Sequence, residues 1–262
     1  MSNKVLTMAS QDYFHYGDLF IKTRHRLNAE VILYGPDLST KQIKELADND
    51  IEFRFVDVSD FFTKMQYLKF KFIQDNTGQG GLITFVDFDT FFLEDWAPVI
   101  SEDRFDLGIT VNNRHIKNKL LRAYANGGVI FAKGSQSSAD ICEVGMKIMQ
   151  DGGHEWLPEY DRIFRTLEQG RPAHKTHSRE TLRWWVDQVL LSSFVMRYGK
   201  QVKDKAFSTF QFYDLGFYNC SRYNRLDPSP AEVKSLKAKR KAYIIHLKNR
   251  GRGIVNKLEK FI

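Results

Sequence analysis

Apolar stretches typical of strands alternate along the chain with stretches whose apolar residues recur at helical spacing. Residues 51–56 alternate apolar and polar positions, which is typical of a strand. Thr40 precedes a short helical stretch and is expected to cap it. Predicted strands cover residues 4–10, 29–34 and 51–56, and predicted helices cover residues 14–27 and 41–47. This alternation predicts an α/β domain with a mainly parallel sheet and right-handed crossovers.

A longer amphipathic helix leads into the most apolar predicted strand. Between Phe61 and Ile73, apolar residues recur at spacings of three and four, which gives the helix one buried face. The strand predicted at residues 81–86 runs directly into Asp87 and Asp89. Alternating side chains of a strand would place these carboxylates on one side, about 7 Å apart. Because burying an unpaired carboxylate is costly, the pair predicts a bound divalent cation, with capping of the next turn as the alternative.

Two segments are expected to meet at one edge of the sheet. In open α/β sheets, ligands bind in the crevice beyond the carboxyl ends of the strands. Residues 9–13 follow the first predicted strand, and residues 87–89 follow the strand with the two acids. Their expected convergence on the same crevice strengthens the prediction of a metal and phosphate site.

Composition limits the class of protein. The 262 residues are 42% hydrophobic, 27% charged and 14% aromatic, which favours a folded globular chain over a disordered one. No apolar run approaches the roughly 18 residues of a membrane span, and the first residues do not resemble a signal peptide. Only Cys142 and Cys220 are present, so a disulfide framework is not expected. The expected compartment is the cytoplasm.

The positive charge is concentrated at the C-terminal end. The chain has a net charge of +7, and residues 233–262 hold ten Lys or Arg residues against one acid, a local balance of +9. The remaining residues therefore carry a balance of −2. This asymmetry predicts an anionic ligand or surface for the segment, with a solvated, highly charged helix as the alternative.

Several motifs, taken in order, resemble those of a known family. The first strand leads into a turn with Asp12 and Tyr13, and a later strand ends in the Asp-x-Asp pattern at residues 87–89. Downstream lie an Asn-Gly-Gly strand at 126–131, an Asp-Gln segment at 184–190 and a strand with a His at 244–248. The chain resembles the nucleotide-diphospho-sugar glycosyltransferases of the GT-A fold, and within them the retaining glycogenin-like and lipopolysaccharide-galactosyltransferase-like branch. The resemblance covers residues 4–252, nearly the whole chain.

The resemblance implies a fold and a division of the chain. It implies one GT-A domain over residues 1–262, with a Rossmann-like mixed, mainly parallel sheet flanked by helices. Residues 1–110 would form the half that binds the nucleotide sugar. Residues 111–262 would form the acceptor half, including a polar insertion at 151–180 and the basic segment at 233–262.

The resemblance also implies a metal site. Asp89 would be the main ligand, Asp87 would bridge the metal ion and the ribose, and His246 would supply a nitrogen. Without the resemblance, a hydrogen-bonded histidine that closes a strand is the favoured interpretation of His246. A shell of oxygen and imidazole ligands favours Mn²⁺ over Mg²⁺. Such an ion acts as a Lewis acid on the departing diphosphate.

Basic residues after His246 are candidates for neutralising the diphosphate. Lys248 is the first candidate, followed by Arg250 and Arg252. The branch usually continues from its His through a Gly into Lys-Pro-Trp, and this chain has no Pro-Trp there. The assignment among the three basic residues is therefore open.

Asp187 and Gln188 are the candidate catalytic residues. They lie in a predicted helix at 181–196, where a buried Asp requires a partner such as a sugar hydroxyl or a nearby Lys. The resemblance places the pair near the anomeric carbon and implies retention of configuration. The alternatives are a hydrogen-bonding pair in the core and, for Asp187, a general base in an inverting reaction.

Further residues are candidates for binding the donor. Lys69 and Lys71 precede the Asp-x-Asp strand; one of them is expected to reach the nucleotide or sugar, although an exposed position is the simpler expectation for each. Asn126 would contact the donor sugar or position an acceptor, with Gly127 allowing close backbone approach. The donor-binding set is Ala9, Ser10, Asp12, Tyr13, Lys69, Asp87, Asn126, Gly127, Lys248 and Arg250.

The predicted activity is transfer of a sugar from a UDP-sugar to a hydroxyl of a polyanionic acceptor. A hydroxylated base in DNA, as in phage DNA modification, is the favoured acceptor, and lipopolysaccharide or another surface glycan is the alternative. A haloacid-dehalogenase-type phosphatase is disfavoured by Phe91 at the fifth position of the acidic motif. A non-catalytic nucleic-acid-binding protein built on the basic cluster at 237–241 leaves the acidic, Asp-Gln and His motifs unexplained.

Overall fold

The computed structural model describes about three fifths of the chain. The described residues are 2–101, 103–111, 125–150, 187–188, 190–193, 208–214 and 243–246. The predicted insertion at 151–180, Lys248 and Arg250 lie outside them, as does most of the basic segment at 233–262.

Seven strands form one mixed sheet in the order β3-β2-β1-β4-β7-β6-β8. Strands β3, β2, β1 and β4 run parallel, β7 is antiparallel to both β4 and β6, and β8 is parallel to β6. The mixed, mainly parallel sheet of the α/β prediction is confirmed. The strands are β1 (Lys4–Met8), β2 (Glu30–Gly35), β3 (Ile51–Phe55), β4 (Leu82–Val86), β6 (Phe105–Val111), β7 (Ala125–Lys133) and β8 (Ser208–Asp214).

Helices pack on both faces of the sheet. The stretch predicted as one helix at 14–27 is divided into 3₁₀ turns on either side of α1, and residues 187–188 and 190–193 are also helical. None of the described helices has the length and apolar composition that crossing a bilayer requires. The helices are α1 (Asp18–Thr23), α2 (Thr40–Ala47), α3 (Val58–Asp75), α4 (Ala97–Ile100) and α5 (Gln136–Gln150); the 3₁₀ turns are Phe14–Gly17 and Arg24–Arg26.

The cap of α2 differs from the prediction by one residue. Ser39 Oγ accepts from the backbone N–H of Gln42, and the Gln42 side chain accepts from the backbone N–H of Ser39 at 2.8 Å. This reciprocal pair is a capping box, which satisfies donors that the helix itself leaves without acceptors. Thr40 is therefore the first helical residue rather than the cap.

A small two-stranded ribbon joins the distant end of the chain to the acidic motif. Strand β5 (Thr90–Phe92) pairs antiparallel with β9 (Ile244–His246), and Thr90 lies directly opposite His246. The backbone N–H of Leu93 extends the ribbon by donating to the carbonyl of Tyr243 at 2.8 Å. The register therefore brings His246 to the residue that follows Asp89.

The core lies on both faces of the sheet, so that the central strands read as continuous apolar runs. On β1, Leu6 and Met8 belong to the cluster beneath α3 and α5, whereas Val5 and, just after the strand, Ala9 belong to the cluster that contains α1 and β5. All five residues of β1 are buried. The sheet is thus a rigid base for the loops at its carboxyl edge.

Thr23 connects α1 to β5. Its hydroxyl donates to the carbonyl of Leu19 at 2.6 Å and accepts from the backbone N–H of Phe92 at 3.0 Å, and the side chain is fully buried. Thr7 on β1 is equally buried, but its hydroxyl has no hydrogen-bond partner among the described residues.

The substitution Thr23→Val is expected to lower the free energy of unfolding by about 1–3 kcal/mol, because the Phe92 N–H loses its acceptor without regaining water. Thr7→Val is the matched control and should be neutral or stabilising, since it removes a buried hydroxyl that makes no hydrogen bond. Urea unfolding of the two variants measures both values. Equal losses of stability would contradict the assigned hydrogen bonds.

Candidate active site

The two acids lie in a turn rather than on the strand itself. Strand β4 ends at Val86, and the backbone N–H of Asp87 donates to the carbonyl of Gly128 at 2.9 Å. The spacing of about 7 Å expected for a strand therefore does not apply. Asp89 is buried and Asp87 is partly exposed, with 28% of its side-chain surface accessible. One acid is thus enclosed by protein while the other is partly open to solvent.

His246 lies beside both acids. Its Nε2 atom is 3.0 Å from Asp89 Oδ1 and 3.5 Å from Asp87 Oδ2. The pairing of β9 with β5 explains the position, because Thr90, the partner of His246, directly follows Asp89. The structure therefore brings together the three residues that the sequence suggested as metal ligands.

The three side chains fit a divalent cation. One ligand atom from each of Asp87, Asp89 and His246 lies within 4.8 Å of the others. Two ligand atoms of one ion can be separated by up to twice the ligand distance. Ligand distances of roughly 2.0–2.6 Å therefore allow the separation found here. Two carboxylates and an imidazole are donors that first-row divalent metals accept.

Gly128 provides space for this cluster. A Cβ atom at this position would lie 2.5 Å from His246 Cε1 and 2.8 Å from Asp87 Oδ2, closer than real Cβ contacts come. Any other residue would therefore push the imidazole or the carboxylate away. The glycine is required here for room at the metal site, since its backbone conformation is an ordinary one.

Lys69 is buried at the centre of the site. Its Nζ atom lies 3.1 Å from Asp187 Oδ2, 3.2 Å from Asp87 Oδ1 and 3.1 Å from the carbonyl oxygen of Gly127. The expectation of an exposed Lys69 is wrong, because these three acceptors replace the water that burial removes. Lys71 does lie on the exposed face, where it pairs with Asp75.

The surroundings keep Lys69 charged. Burial by itself disfavours the ammonium, but Asp187 and then Asp87 attract it and raise its pKa above the ordinary value. For Asp187, burial raises the pKa, and Lys69 counteracts part of the rise. The two groups are therefore kept in place by each other's charge.

Asp187 is completely buried and its carboxylate contacts two groups. Oδ2 accepts from Lys69, and Oδ1 accepts from the backbone N–H of Gln188 at 2.8 Å. A Cβ atom at position 127 would lie 2.0 Å from Asp187 Oδ2, so Gly127 leaves the space that the carboxylate occupies. The Lys partner that the sequence required for Asp187 is thus Lys69.

These contacts form a continuous chain from Asp187 through Lys69, Asp87 and His246 to Asp89. Asp87 is the shared member, since its Oδ1 faces Lys69 and its Oδ2 faces His246. Three carboxylates against one ammonium leave an excess of two negative charges when the imidazole is neutral. A divalent cation balances this excess.

The loop after β1 follows the same edge of the sheet, since β1 and β4 are parallel neighbours. Ala9 is buried, Asp12 is exposed and Tyr13 is half-buried, with its N–H donating to the carbonyl of Ser10 at 3.1 Å.

Two residues that the sequence analysis did not single out hold this loop. Asp37 Oδ1 accepts from the backbone N–H of Gln11 at 2.8 Å, and Gln42 Nε2 donates to the Gln11 carbonyl at 3.2 Å. The Gly-Pro-Asp turn after β2 was the available signal for Asp37.

Asn126 shapes the backbone before the two glycines. Its Oδ1 accepts from the N–H of Gly128 at 2.9 Å, and its carbonyl accepts from Thr110 Oγ1 at 3.0 Å. The side chain thus helps to fix the backbone at Gly127 and Gly128, the two positions that leave space for Asp187 and His246.

Comparison by sequence identifies one family. A model of the family described as nucleotide-diphospho-sugar transferase matches residues 38–261, which is most of the chain. No protein of curated function matches the chain in sequence.

Comparison by structure finds glycosyltransferases. An active-site mutant of LgtC has a TM-score of 0.55 at 12% identity, over 98% of this chain and 95% of that one. GlyE from Streptococcus pneumoniae TIGR4 has a TM-score of 0.55 at 11% identity, over 95% of this chain and 55% of its own. The bifunctional WbbM has a TM-score of 0.52 at 14% identity, over 95% and 46%. The chain thus spans about half the length of GlyE and WbbM, and these likenesses show a shared fold.

The substitution Lys69→Met is expected to lower the free energy of unfolding by about 3–5 kcal/mol, because it leaves buried Asp187 without its cation. Lys71→Met is the matched control on the same helix and should cost about 0–1 kcal/mol. Denaturant unfolding measures the difference. The double variant Lys69→Met/Asp187→Asn should recover part of the loss, and equal stability of the two single variants would contradict the buried cluster.

The substitution Gly128→Ala is expected to weaken Mn²⁺ binding by about 100-fold, at the upper end of what disturbing the groups around metal ligands costs. Gly145→Ala on α5 is the control: its new Cβ meets only apolar side chains, at 3.2–3.6 Å. Calorimetric titration with Mn²⁺ measures both affinities. Retention of wild-type affinity by Gly128→Ala would show that the ion binds elsewhere.

Proposed function

Because the chain belongs to the nucleotide-diphospho-sugar transferase family and has the GT-A fold, we propose that it transfers a sugar from a nucleoside diphosphate to a hydroxyl of a saccharide. The observation that carries the proposal is the position of Asp87. This partly exposed carboxylate joins the candidate metal ligands Asp89 and His246 to the buried pair Lys69–Asp187. This arrangement is the basis for proposing one site for a metal, a diphosphate and a sugar.

Asp87, Asp89 and His246 are the proposed metal ligands. The donor set of carboxylate oxygens and an imidazole nitrogen favours Mn²⁺, with Mg²⁺ as the alternative. When bound, such an ion acts as a Lewis acid on the diphosphate leaving group. The partly exposed Asp87 lies on the side where the donor would enter.

Lys69 has the proposed role of holding the charged groups in their reactive arrangement. It binds Asp187 Oδ2 and Asp87 Oδ1 at the same time, and its ammonium is shielded from water. Charges fixed in this way before the donor binds do not have to reorganise as negative charge develops on the diphosphate. Lys69 is in addition the proposed contact of the donor, and Lys248 and Arg250 are proposed to neutralise the leaving group.

Asp187 and Gln188 are proposed to face the reacting sugar. A structure of LgtC is described as an active-site Gln-to-Glu mutant, and Gln188 is the proposed counterpart of that glutamine. The contacts of Asp187 support a reaction with retention of configuration. A general base for an inverting reaction must reach the acceptor, whereas Asp187 is completely buried and its two oxygens are held by Lys69 and by the backbone N–H of Gln188.

The remaining residues have proposed roles in donor recognition. Residues 1–110 and 111–262 are proposed as the donor and acceptor halves, UDP as the nucleotide, and the cytoplasm as the compartment. Loop residues Ala9, Ser10, Asp12 and Tyr13 would bind the nucleoside. Asn126 and Gly127 would lie beside the sugar, at the strand end where the Lys69 and Asp187 contacts converge.

A surface glycan such as lipopolysaccharide is the better-supported acceptor. The galactosyltransferase LgtC, similar over 94% of this chain with a TM-score of 0.52 at 13% identity, was crystallised with donor and acceptor sugar analogs. The favoured sequence expectation, a hydroxylated DNA base, rests on the charge of residues 233–262 alone, and no described residue adds to it.

In the test of this function, the full chain is incubated with a set of UDP-sugars in Mn²⁺, and UDP release is measured with and without EDTA. EDTA should abolish release. Asp89→Asn should lower it by about 100-fold or more, since a Lewis acid contributes several kcal/mol and each 1.4 kcal/mol is a factor of ten. Unchanged UDP release in EDTA would contradict the proposed metal site.

Mass analysis of treated oligosaccharide and treated hydroxymethylated DNA separates the two acceptors. Addition of a hexose or pentose to the oligosaccharide alone is the expected result. Addition to DNA alone would overturn the saccharide acceptor while leaving the transferase chemistry in place. NMR of the product's anomeric proton then reports whether configuration is retained.

A further inference from the structure

Phe88, the residue between the two acids, faces the core. Its side chain is 1% exposed, whereas Asp87 and Asp89 on either side approach His246. Its ring packs against Phe14 and Phe20, with ring centres 5.6 Å and 5.1 Å away. The aromatic side chain of Phe88 therefore anchors the acidic turn in the core.

The Phe88 ring is seated on the backbone of Gly17. A Cβ atom at Gly17 would lie 2.0 Å from Phe88 Cε1 and 2.1 Å from Cζ, far inside contact distance. The backbone of Gly17 has φ −91° and ψ 4°, angles that other residues adopt. Glycine is therefore required here by the ring of Phe88 and not by the backbone conformation.

We propose that Phe88, through its contact with Gly17, is a positioning residue that sets the placement of Asp87 and Asp89 and thereby the affinity of the metal site. The inference rests on the proposed metal site and adds a determinant to it. Gly17 ends the 3₁₀ turn Phe14–Gly17, which directly follows the loop proposed to bind the nucleoside. One contact thus fixes the metal side of the crevice relative to the nucleoside side.

Small movements of the ring matter because metal sites tolerate little displacement. Ligand distances in a working site lie within about 0.2 Å of their ideal values. An alanine at Gly17 would force the ring to move by more than about 1 Å to reach ordinary van der Waals contact. Phe88 is covalently joined to both acids, so its displacement moves their backbone. Loss of groups that orient metal ligands typically weakens binding about ten- to 100-fold.

The experiment measures Mn²⁺ binding to the full chain without nucleotide or sugar, from the electron paramagnetic resonance signal of free Mn²⁺. The variants are Gly17→Ala, Phe88→Leu and the double variant. Phe105→Leu is the control, because Phe105 is buried in the same apolar cluster but lies away from the site. It is the first residue of β6, and the opposite end of that strand, Val111, is the one that pairs with β7 near the site. Thermal unfolding is recorded for each protein.

Each single variant should bind Mn²⁺ about ten- to 100-fold more weakly than wild type. Phe105→Leu should lose stability but retain wild-type affinity. The double variant should bind less weakly than the product of the two single effects, because leucine lacks the ring atoms Cε1 and Cζ that the alanine would meet first. If Phe88→Leu does not unfold cooperatively, Gly17→Ala alone decides the matter.

Wild-type affinity in Gly17→Ala and Phe88→Leu would overturn the positioning role while leaving the metal site intact. Equal weakening in Phe105→Leu would also overturn it, because loss of core packing would then explain the effect. A wild-type chain that binds no Mn²⁺ would instead overturn the proposed metal site and this inference together.

Discussion

The candidate site depends on one buried ion pair, between the ammonium of Lys69 and the carboxylate of Asp187. The two residues are 118 positions apart and neither is exposed to solvent. Removing either charge would leave the other buried without its partner, which is costly. The pair also contacts Asp87 and the Gly127 carbonyl, so it joins α3, the turn after β4, the start of β7 and the helical residues near 187. The position of each segment thus depends on the others.

Glycines make this convergence possible. Gly127 leaves room for Asp187, Gly128 for His246 and Asp87, and Gly17 for the ring of Phe88. At Gly127 and Gly128 a Cβ atom would occupy the space of an ionisable side chain, and at Gly17 it would occupy the space of the ring proposed to position two of them. The close packing around buried Lys69 therefore depends on glycines, which lack side chains, as much as on the side chains that are present. The resulting arrangement suits the proposed divalent ion and anionic donor, because its charges are fixed before either binds.

The sequence predicted the alternation of strands and helices well, because the central strands are buried on both faces and their apolar runs are unbroken. It also predicted that the acids at 87 and 89 directly follow a buried strand. His246 was identified through a family resemblance, since nothing in its own neighbourhood distinguishes a ligand from a histidine that closes a strand. The pairing of β9 with β5 supplies the physical reason for its position.

The errors have a common cause in long-range contacts. Lys69 and Lys71 look alike on an amphipathic helix, and it is the distant Asp87, Gly127 and Asp187 that make burial of the first favourable. The two acids lie in the turn after Val86 rather than on the strand, and contacts with distant residues fix that turn: the Asp87 N–H donates to Gly128, and both carboxylates approach His246. The DNA acceptor stays a prediction that rests on the charge at the C-terminal end, and net charge indicates a preference for anions without identifying one.

The most direct test of the account is a crystal structure of the chain grown with Mn²⁺ and a UDP-sugar analogue, with anomalous scattering recorded at the manganese edge. We expect an anomalous peak within roughly 2.0–2.6 Å of Asp89, His246 and an Asp87 oxygen, on the side of Asp87 away from Lys69. The diphosphate should lie against the same ion. A peak that does not contact His246 and Asp89, or a donor bound away from Asp87, would contradict it.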